Sequence, residues 1–262
     1  MKDIKVDSWV QLNELVFEES WQEPLGRFRS NYVYRGLSEA SYQLKTSLIR
    51  LEGFYDKLEN HILRNFRKYA HRDAVRGDSI WNWLAVAQHH GLPTRLLDWT
   101  FSPFVAMHFA TANLEKYDID GVIWCVDYVK AHQYLPGSLR SILEFEGANG
   151  FTVEMLSRAA STIPEFDGLS PDDFVVFFEP PSLDDRIANQ YALFSMISHS
   201  RSLFDGWLEG HPDLFYRIII PASLKWEIRD KLDQANITER VMFPGLDGLS
   251  RWLKRHYSPR SK

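Results

Sequence analysis

Short apolar runs rich in β-branched and aromatic residues recur along this chain at uneven intervals, and they limit what it can become. Asn31 to Gly36, Leu92 to Trp99, Gly121 to Asp127, Asp173 to Glu179 and Phe215 to Pro221 read as strands or extended links. Phe174-Val175-Val176-Phe177-Phe178 is the clearest of them, and Pro180-Pro181 ends it, because proline supplies no donor to a ladder. Val241 to Pro244 reads as a further short extended piece. Between these runs lie helical patterns over Ser8 to Glu18, Tyr55 to Ala74, Ser79 to His89, Phe151 to Ala160, Ser223 to Gln234 and Leu246 to His256, and one more opened by Ser102-Pro103. Strands and helices do not alternate evenly, and no glycine loop suited to phosphate follows a first strand. The expected class is therefore α+β, with a mixed, mostly antiparallel central sheet surrounded by helices. The 262 residues fit a single domain, 1–262.

Local signals fix several helix ends. Ser8 suits an N-cap. Gly91 is placed as the residue just past a helix, with Pro93 beyond it as a stop. Ser102 and Pro103 suit the N-cap and first turn of the next helix, with Val105, Phe109 and Ala112 facing its core. In the helix from Tyr55, the spacing of Leu58, Ile62, Phe66 and Tyr69 predicts an apolar face. Arg64, Arg67, Lys68, Arg72 and Arg76 lie opposite, either as a solvated face or as a guide for an acidic or nucleic-acid target.

Composition narrows the setting. A formal net charge of −5 argues against a chain whose main task is coating nucleic acid. The lone Cys125 excludes an internal disulfide and sits in Val122-Ile123-Trp124-Cys125-Val126, where a buried filler is expected. Met1 to Asp7 lacks the apolar core of a signal peptide, and no window approaches a membrane helix. A soluble, cytoplasmic protein is the expectation, with no membrane partner. Nine Trp residues and an aromatic share of 14% require many rings to fill the core or line a cleft.

Three segments hold the polar groups best placed for chemistry. Arg35 lies in a strand between aromatic residues, where a guanidinium needs either a bound anion or a carboxylate of the fold. Gly36 beside it leaves its backbone open to close approach by a ligand. The run Gln88 to Thr100 holds His89, His90, Arg95 and Asp98 in an apolar setting. Arg95 and Asp98, three residues apart, are able to pair with each other. Successive helix positions turn His89 and His90 about 100° apart, so a shared metal ion is disfavoured and none is expected. Thr100 and Ser102 flank a helix N-terminus, which favours anions, although Ser102 also serves as a plain cap. In Arg186 to Ser195, Gln190 either orients a sugar hydroxyl or satisfies a backbone group. No Gly-x-Ser-x-Gly elbow and no Walker A loop is present.

Tyr34-Arg35-Gly36, the run His90-Gly91-Leu92-Pro93-Thr94-Arg95-Leu96-Leu97-Asp98-Trp99-Thr100, and Arg186 to Phe194 together resemble the FRG domain, a family named for its aromatic-Arg-Gly motif. The resemblance spans roughly residues 30 to 200, leaving 201–262 as a C-terminal strand-helix extension. Its members are mostly bacterial and phage proteins, which implies a cytosolic role in conflict or defence, as a toxin or in phage defence.

The order of motifs is also similar to that of NAD-dependent ADP-ribosyltransferases. Arg35 in Tyr34-Arg35-Gly36 matches their first motif, and Thr100, Ser102, Ala106 and Phe109 match their second. Their third is a Glu or Gln on a later strand, for which Gln190 is the candidate and Glu179 the reserve. This likeness implies a split sheet and NAD as substrate. Arg35 would hold a phosphate or ribose, and Gly36 would read the carboxamide. Tyr34 or Trp99 would stack on nicotinamide, while Thr100 or Ser102 would fix its ribose. His90, Arg95 and Asp98 complete the expected binding set. Nicotinamide would leave from an oxocarbenium-like sugar, and a protein, a nucleic acid or water would receive it. Gln190 departs from the usual Glu and carries no charge. A nucleotide-sensing module without turnover, and a nucleic-acid enzyme independent of NAD, are the alternative readings.

Overall fold

A computed structural model describes residues 2–70 and 77–259. Nine strands are found among them: β1 (Asp3–Lys5), β2 (Trp21–Gln22), β3 (Arg27–Phe28), β4 (Tyr32–Leu37), β5 (Leu96–Thr100), β6 (Gly121–Asp127), β7 (Val175–Phe178), β8 (Ala192–Ile197) and β9 (Phe215–Ile220). β2 and β3 form a small antiparallel ribbon, and the other seven form one sheet in the order β1-β9-β6-β4-β5-β8-β7. Only β1 and β9 run parallel; every other neighbouring pair is antiparallel. The fold is α+β with a mixed sheet.

Strand periodicity sorts the core into layers. One face, carrying Val33, Leu97, Trp99, Trp124, Phe177 and Leu193, packs as one continuous cluster that includes Phe204 and Trp207. On the opposite face the core is divided. Leu96, Val176, Phe178, Phe194 and Met196 pack under the helices Ile80–His89 and Val153–Ala159. Tyr32, Tyr34, Ile123, Cys125, Ile218 and Ile220 pack under the helices Trp9–Phe17, Pro103–Ala110 and Lys225–Gln234. The two half-cores meet where β4 adjoins β5.

That seam is weakly zipped. β4 and β6 share six aligned residue pairs and β5 and β8 share five, yet β4 and β5 align only at Tyr34 and Thr100. Beyond that pair, Arg35–Leu37 and Asp98–Trp99 leave the sheet open. Gly36 forces the helix side of the seam close together. A Cβ there would lie 1.8 Å from the Ala106 carbonyl oxygen, so the strand accepts only glycine against that helix. Packing thus gives Gly36 a structural reason on the helix side, and the residue also borders the cavity in the seam.

The stretch 201–262 supplies β9, which pairs with both β1 and β6 inside the sheet. Ser8, Ser79 and Ser102 cap their helices, each hydroxyl accepting a backbone N–H three residues on. Gly91 has a φ of +78°, and the Leu92 N–H donates to the Ala87 carbonyl, closing a glycine-terminated helix end. Cys125 is buried and free.

Three local expectations are corrected. The helix from Tyr55 ends at Tyr69 and turns Glu59 and Leu63 inward, while Leu58 and Tyr69 are exposed. Arg67 on its outer side pairs with Asp78 at 2.8 Å; Arg72 and Arg76 lie outside the described residues. Val241 and Met242 belong to a short helix, Glu239–Met242, rather than to an extended piece. Gln190 caps the helix Asp185–Asn189 and does not lie on a strand.

Candidate functional site

The open seam holds a cavity of about 320 Å³ lined by Tyr34 to Ser38, Tyr42, Arg50, Asp98 to Thr100, Phe109, Arg186 and Gln190. Residues far apart in sequence therefore share one pocket: Arg35, Thr100 and Gln190 all border it. Among the described residues its charges are three guanidiniums against one carboxylate, that of Asp98.

Arg35 occupies the position where the ladder between β4 and β5 is lost. Its Nη1 donates to the Asp98 carbonyl, and lies 3.8 Å from the Asp98 carboxylate. Its Nε is buried and has no hydrogen-bond partner among the described residues. Burial lowers the pKa of this guanidinium, Asp98 opposes that shift, and Arg50 adds to it. A cation held this way lacks full compensation, and an anion entering the seam supplies it.

Asp98 is aimed by a short chain of side chains. Thr94 Oγ1 donates to Gln88 Oε1 at 2.5 Å, and Gln88 Nε2 donates to Asp98 Oδ2 at 2.9 Å. Thr94 is itself fixed: its N–H donates to Ser47 Oγ, and its carbonyl accepts from Leu48 N–H. In β5 only Asp98 turns outward, its side chain 55% exposed, while Leu96, Leu97, Trp99 and Thr100 are buried. The dense polar run Gln88 to Thr100 is thus a mount for one exposed carboxylate.

Several expected site residues are committed elsewhere. The Tyr34 hydroxyl donates to the Val16 carbonyl and lies 3.2 Å from Ser30 Oγ; burial pushes it up to about 12. Trp99 Nε1 donates to Ser195 Oγ, and its ring packs on Phe177 and Phe204. Both residues border the pocket, but neither ring is free to stack on a ligand. Arg95 does not pair with Asp98. It is buried against Glu59, Asp167 and the Ser198 carbonyl, well away from the lining. Burial alone would lower its pKa, and the bonds from those carboxylates raise it instead.

His90 caps its helix and borders a separate groove with His89, Asp184, Arg186 and Arg251. His89 Nε2 meets Asp184 Oδ2 at 2.7 Å, and the two histidine rings stand nearly perpendicular. Among the described residues no group of three or more His, Cys, Asp or Glu is placed to hold a metal ion. Ser102 accepts from Val105 N–H as a helix cap and does not line the pocket. Glu179 is exposed at the end of β7, the edge strand, and is absent from the lining.

Thr100 and Gln190 meet through the fold. Thr100 Oγ1 donates to the Gln190 carbonyl at 2.7 Å and accepts from Ser102 N–H at 3.0 Å. Gln190 Nε2 donates to the Met242 carbonyl at 2.8 Å. Their contacts lock the helix Asp185–Asn189 to the end of β5 and to the C-terminal helices.

The sequence did not point to Arg50, Tyr42, Ser38 or Phe109 as lining groups. Ser38, Tyr42 and Arg50 lie in a stretch between β4 and the helix from Tyr55 that has no period to read. The spacing of Phe109 places it on the core side of its helix, whereas the structure brings it to the pocket. Lys225, also unread, is buried beneath the rim: its Nζ donates to the carbonyls of Ser38 at 2.7 Å and Lys116 at 2.6 Å. Burial brings that amine down to about 8. No helix among the described residues is long and apolar enough to cross a membrane.

Residues 30–119 match the FRG domain. No curated protein and no solved structure matches the chain.

Proposed function

We propose that this chain, which carries an FRG domain, binds the phosphate-bearing part of NAD in the seam pocket and releases nicotinamide from it in the cytoplasm. One observation carries the reading: Arg35, Arg50 and Arg186 line a single small cavity with Asp98 as its one carboxylate. Guanidiniums suit phosphate oxygens, and a burial-stressed Arg35 gains most from meeting one.

The chemistry follows from Asp98. When nicotinamide leaves, the bond from its ring nitrogen to the ribose anomeric carbon breaks and the electron pair departs with the ring. The sugar is left with oxocarbenium character. A carboxylate fixed before the reaction stabilises that charge, and Gln88 fixes this one. Gln190 is uncharged and its amide already donates to Met242, so the electrostatic role falls to Asp98. A protein side chain, a nucleic acid or water then takes the sugar. Tyr42 and Phe109 are the aromatic lining residues left to contact a base or nicotinamide once Tyr34 and Trp99 are set aside.

A second reading, a nucleotide-binding module without turnover, is favoured by the inward commitment of the Thr100 hydroxyl. One experiment separates the two. Nicotinamide release and NAD-induced thermal stabilisation are measured for wild type, Arg35→Ala and Asp98→Asn. Release by wild type, reduced about 100-fold in Asp98→Asn with stabilisation retained, is expected. Arg35→Ala should lose both. Stabilisation without release in the wild type supports the binding module, and absence of both signals overturns the two readings together.

A further inference from the structure

The seam cavity is small for a whole dinucleotide: about 320 Å³ lies at the low end of the range for ligand pockets. A second, open groove of about 490 Å³ continues from it, lined by Ser41, Tyr42, Gln43, Lys45 and Arg50. Tyr42 and Arg50 belong to both linings. They mark the junction, and Arg50 is the only charged group common to the two.

The groove has its own chemistry. Lys45 and Arg50 are exposed, and among the described residues no carboxylate lines the groove. Glu39, close in sequence, is already engaged, accepting from Ser41 Oγ at 2.5 Å and pairing with Lys116 at 3.1 Å. Tyr42 presents a ring with the residue 39% exposed. An aromatic face beside two cations, with no carboxylate among the described lining residues, matches a nucleoside phosphate: the base on the ring and the phosphate on the cations.

We infer that the groove from Ser41 to Arg50 is a second nucleotide subsite, so that the ligand is a dinucleotide lying across the junction. One phosphoribosyl half sits in the seam against Arg35 and Arg186, the bridging pyrophosphate meets Arg50, and an adenosine monophosphate half lies on Tyr42 and Lys45. This inference rests on the nucleotide reading of the seam pocket and adds the length and polarity of its ligand.

ADP-ribose and ribose 5-phosphate differ by the AMP half alone, and this pair of probes tests it. Calorimetry gives the affinity of each for wild type, Tyr42→Ala and Lys45→Glu. Wild type should hold ADP-ribose more than tenfold more tightly than ribose 5-phosphate. That ratio should fall about tenfold in Tyr42→Ala, the size expected for loss of one stacked base, and several-fold in Lys45→Glu. Both side chains are exposed, and an unchanged thermal melt confirms that each variant is folded. A wild-type ratio near one, or a ratio indifferent to both substitutions, overturns the second subsite while leaving the seam reading intact. No binding of either probe to wild type overturns both.

Discussion

Arg95 shows what a single polar residue does in this core. Its Nε donates to Glu59 Oε1 at 2.7 Å, Nη2 to Glu59 Oε2 at 2.5 Å and Nη1 to Asp167 Oδ1 at 2.6 Å, with the Ser198 carbonyl at 2.7 Å as a further acceptor. Glu59 is almost fully buried, so removing the guanidinium leaves an uncompensated carboxylate in the interior. Arg95→Met should therefore cost roughly 3–5 kcal/mol, measured by urea denaturation. The double variant Glu59→Met with Arg95→Met should recover a good part of that loss. Equal destabilisation of the single and double variants would show that the pair matters through shape alone. The importance of Arg95 was legible in the sequence as a charged group in apolar surroundings, but its partner was not. A glutamate inside a helical pattern reads as solvent-facing, so the periodicity runs the apolar face through Leu58 and Tyr69, whereas Glu59 turns inward. Asp98, by contrast, shares its face of β5 with the buried Leu96 and Thr100, so alternation does not turn it outward; the open seam beside β4, which no local pattern shows, leaves it exposed.

At the level of elements, short-range signals carried furthest. The pairs Ser102-Pro103 and Gly91-Pro93 act within one turn, so the helix ends they mark were readable. Helix Glu239–Met242 was not, because four residues carry no period and its second half falls in the Val241 to Pro244 run that reads as extended. Gly36 was legible as a special position, but its cause lies in Ala106, seventy residues on, which no local pattern shows. Gly36→Ala should destabilise by about 2–3 kcal/mol on overpacking grounds, read from a thermal or denaturant melt. A neutral result would mean that the helix shifts away freely. The edge strand β7 gives a pH prediction. His132 Nε2 accepts from Phe177 N–H at 2.9 Å, while its Nδ1–H donates to the Asn149 carbonyl at 2.8 Å. That arrangement needs the neutral ring, and burial lowers its pKa from 6.5 to about 4. Below pH 6.5 the unfolded chain takes up a proton that the folded chain refuses. The stability from neutral His132 is thus complete above about pH 6.5 and is lost as pH falls towards 4, roughly 3 kcal/mol in all. His108 loses stability over a similar range, from 6.5 down to about 3, chiefly through burial. Comparing the acid limb of wild type with that of His132→Gln isolates the first group. The variant should be less stable at pH 7 and show a shallower decline between pH 6.5 and 4. Parallel limbs would remove His132 from the account.

The whole molecule closes a site that its recognisable segment only begins. Residues 30–119 contain β4 and β5, yet these two strands align at a single residue pair. β4 is held by β6, and β5 by β8; both partners lie after residue 119. The half-core around Leu96 and the helix Ile80–His89 is completed only from outside that segment, by Val176, Phe178, Phe194 and Met196 among others. So is half of the polar mount: Arg95 needs Asp167 and the Ser198 carbonyl, and the pocket takes Arg186 and Gln190 from the far side of the seam. A sheet that parts at its centre must be anchored from both outer sides, because the seam contributes little pairing of its own. Hence the segment 30–119 expressed alone should lack a cooperative transition. Far-ultraviolet circular dichroism should show mostly unfolded chain, and a dye that reports exposed apolar surface should bind it strongly. The intact chain should melt in a single step and bind little dye. A cooperative melt from 30–119 alone would mean that β4 and β5 pair more extensively without their outer neighbours, and that the unpaired stretch of Arg35–Leu37 beside Asp98–Trp99 is imposed by those neighbours rather than tolerated by the seam.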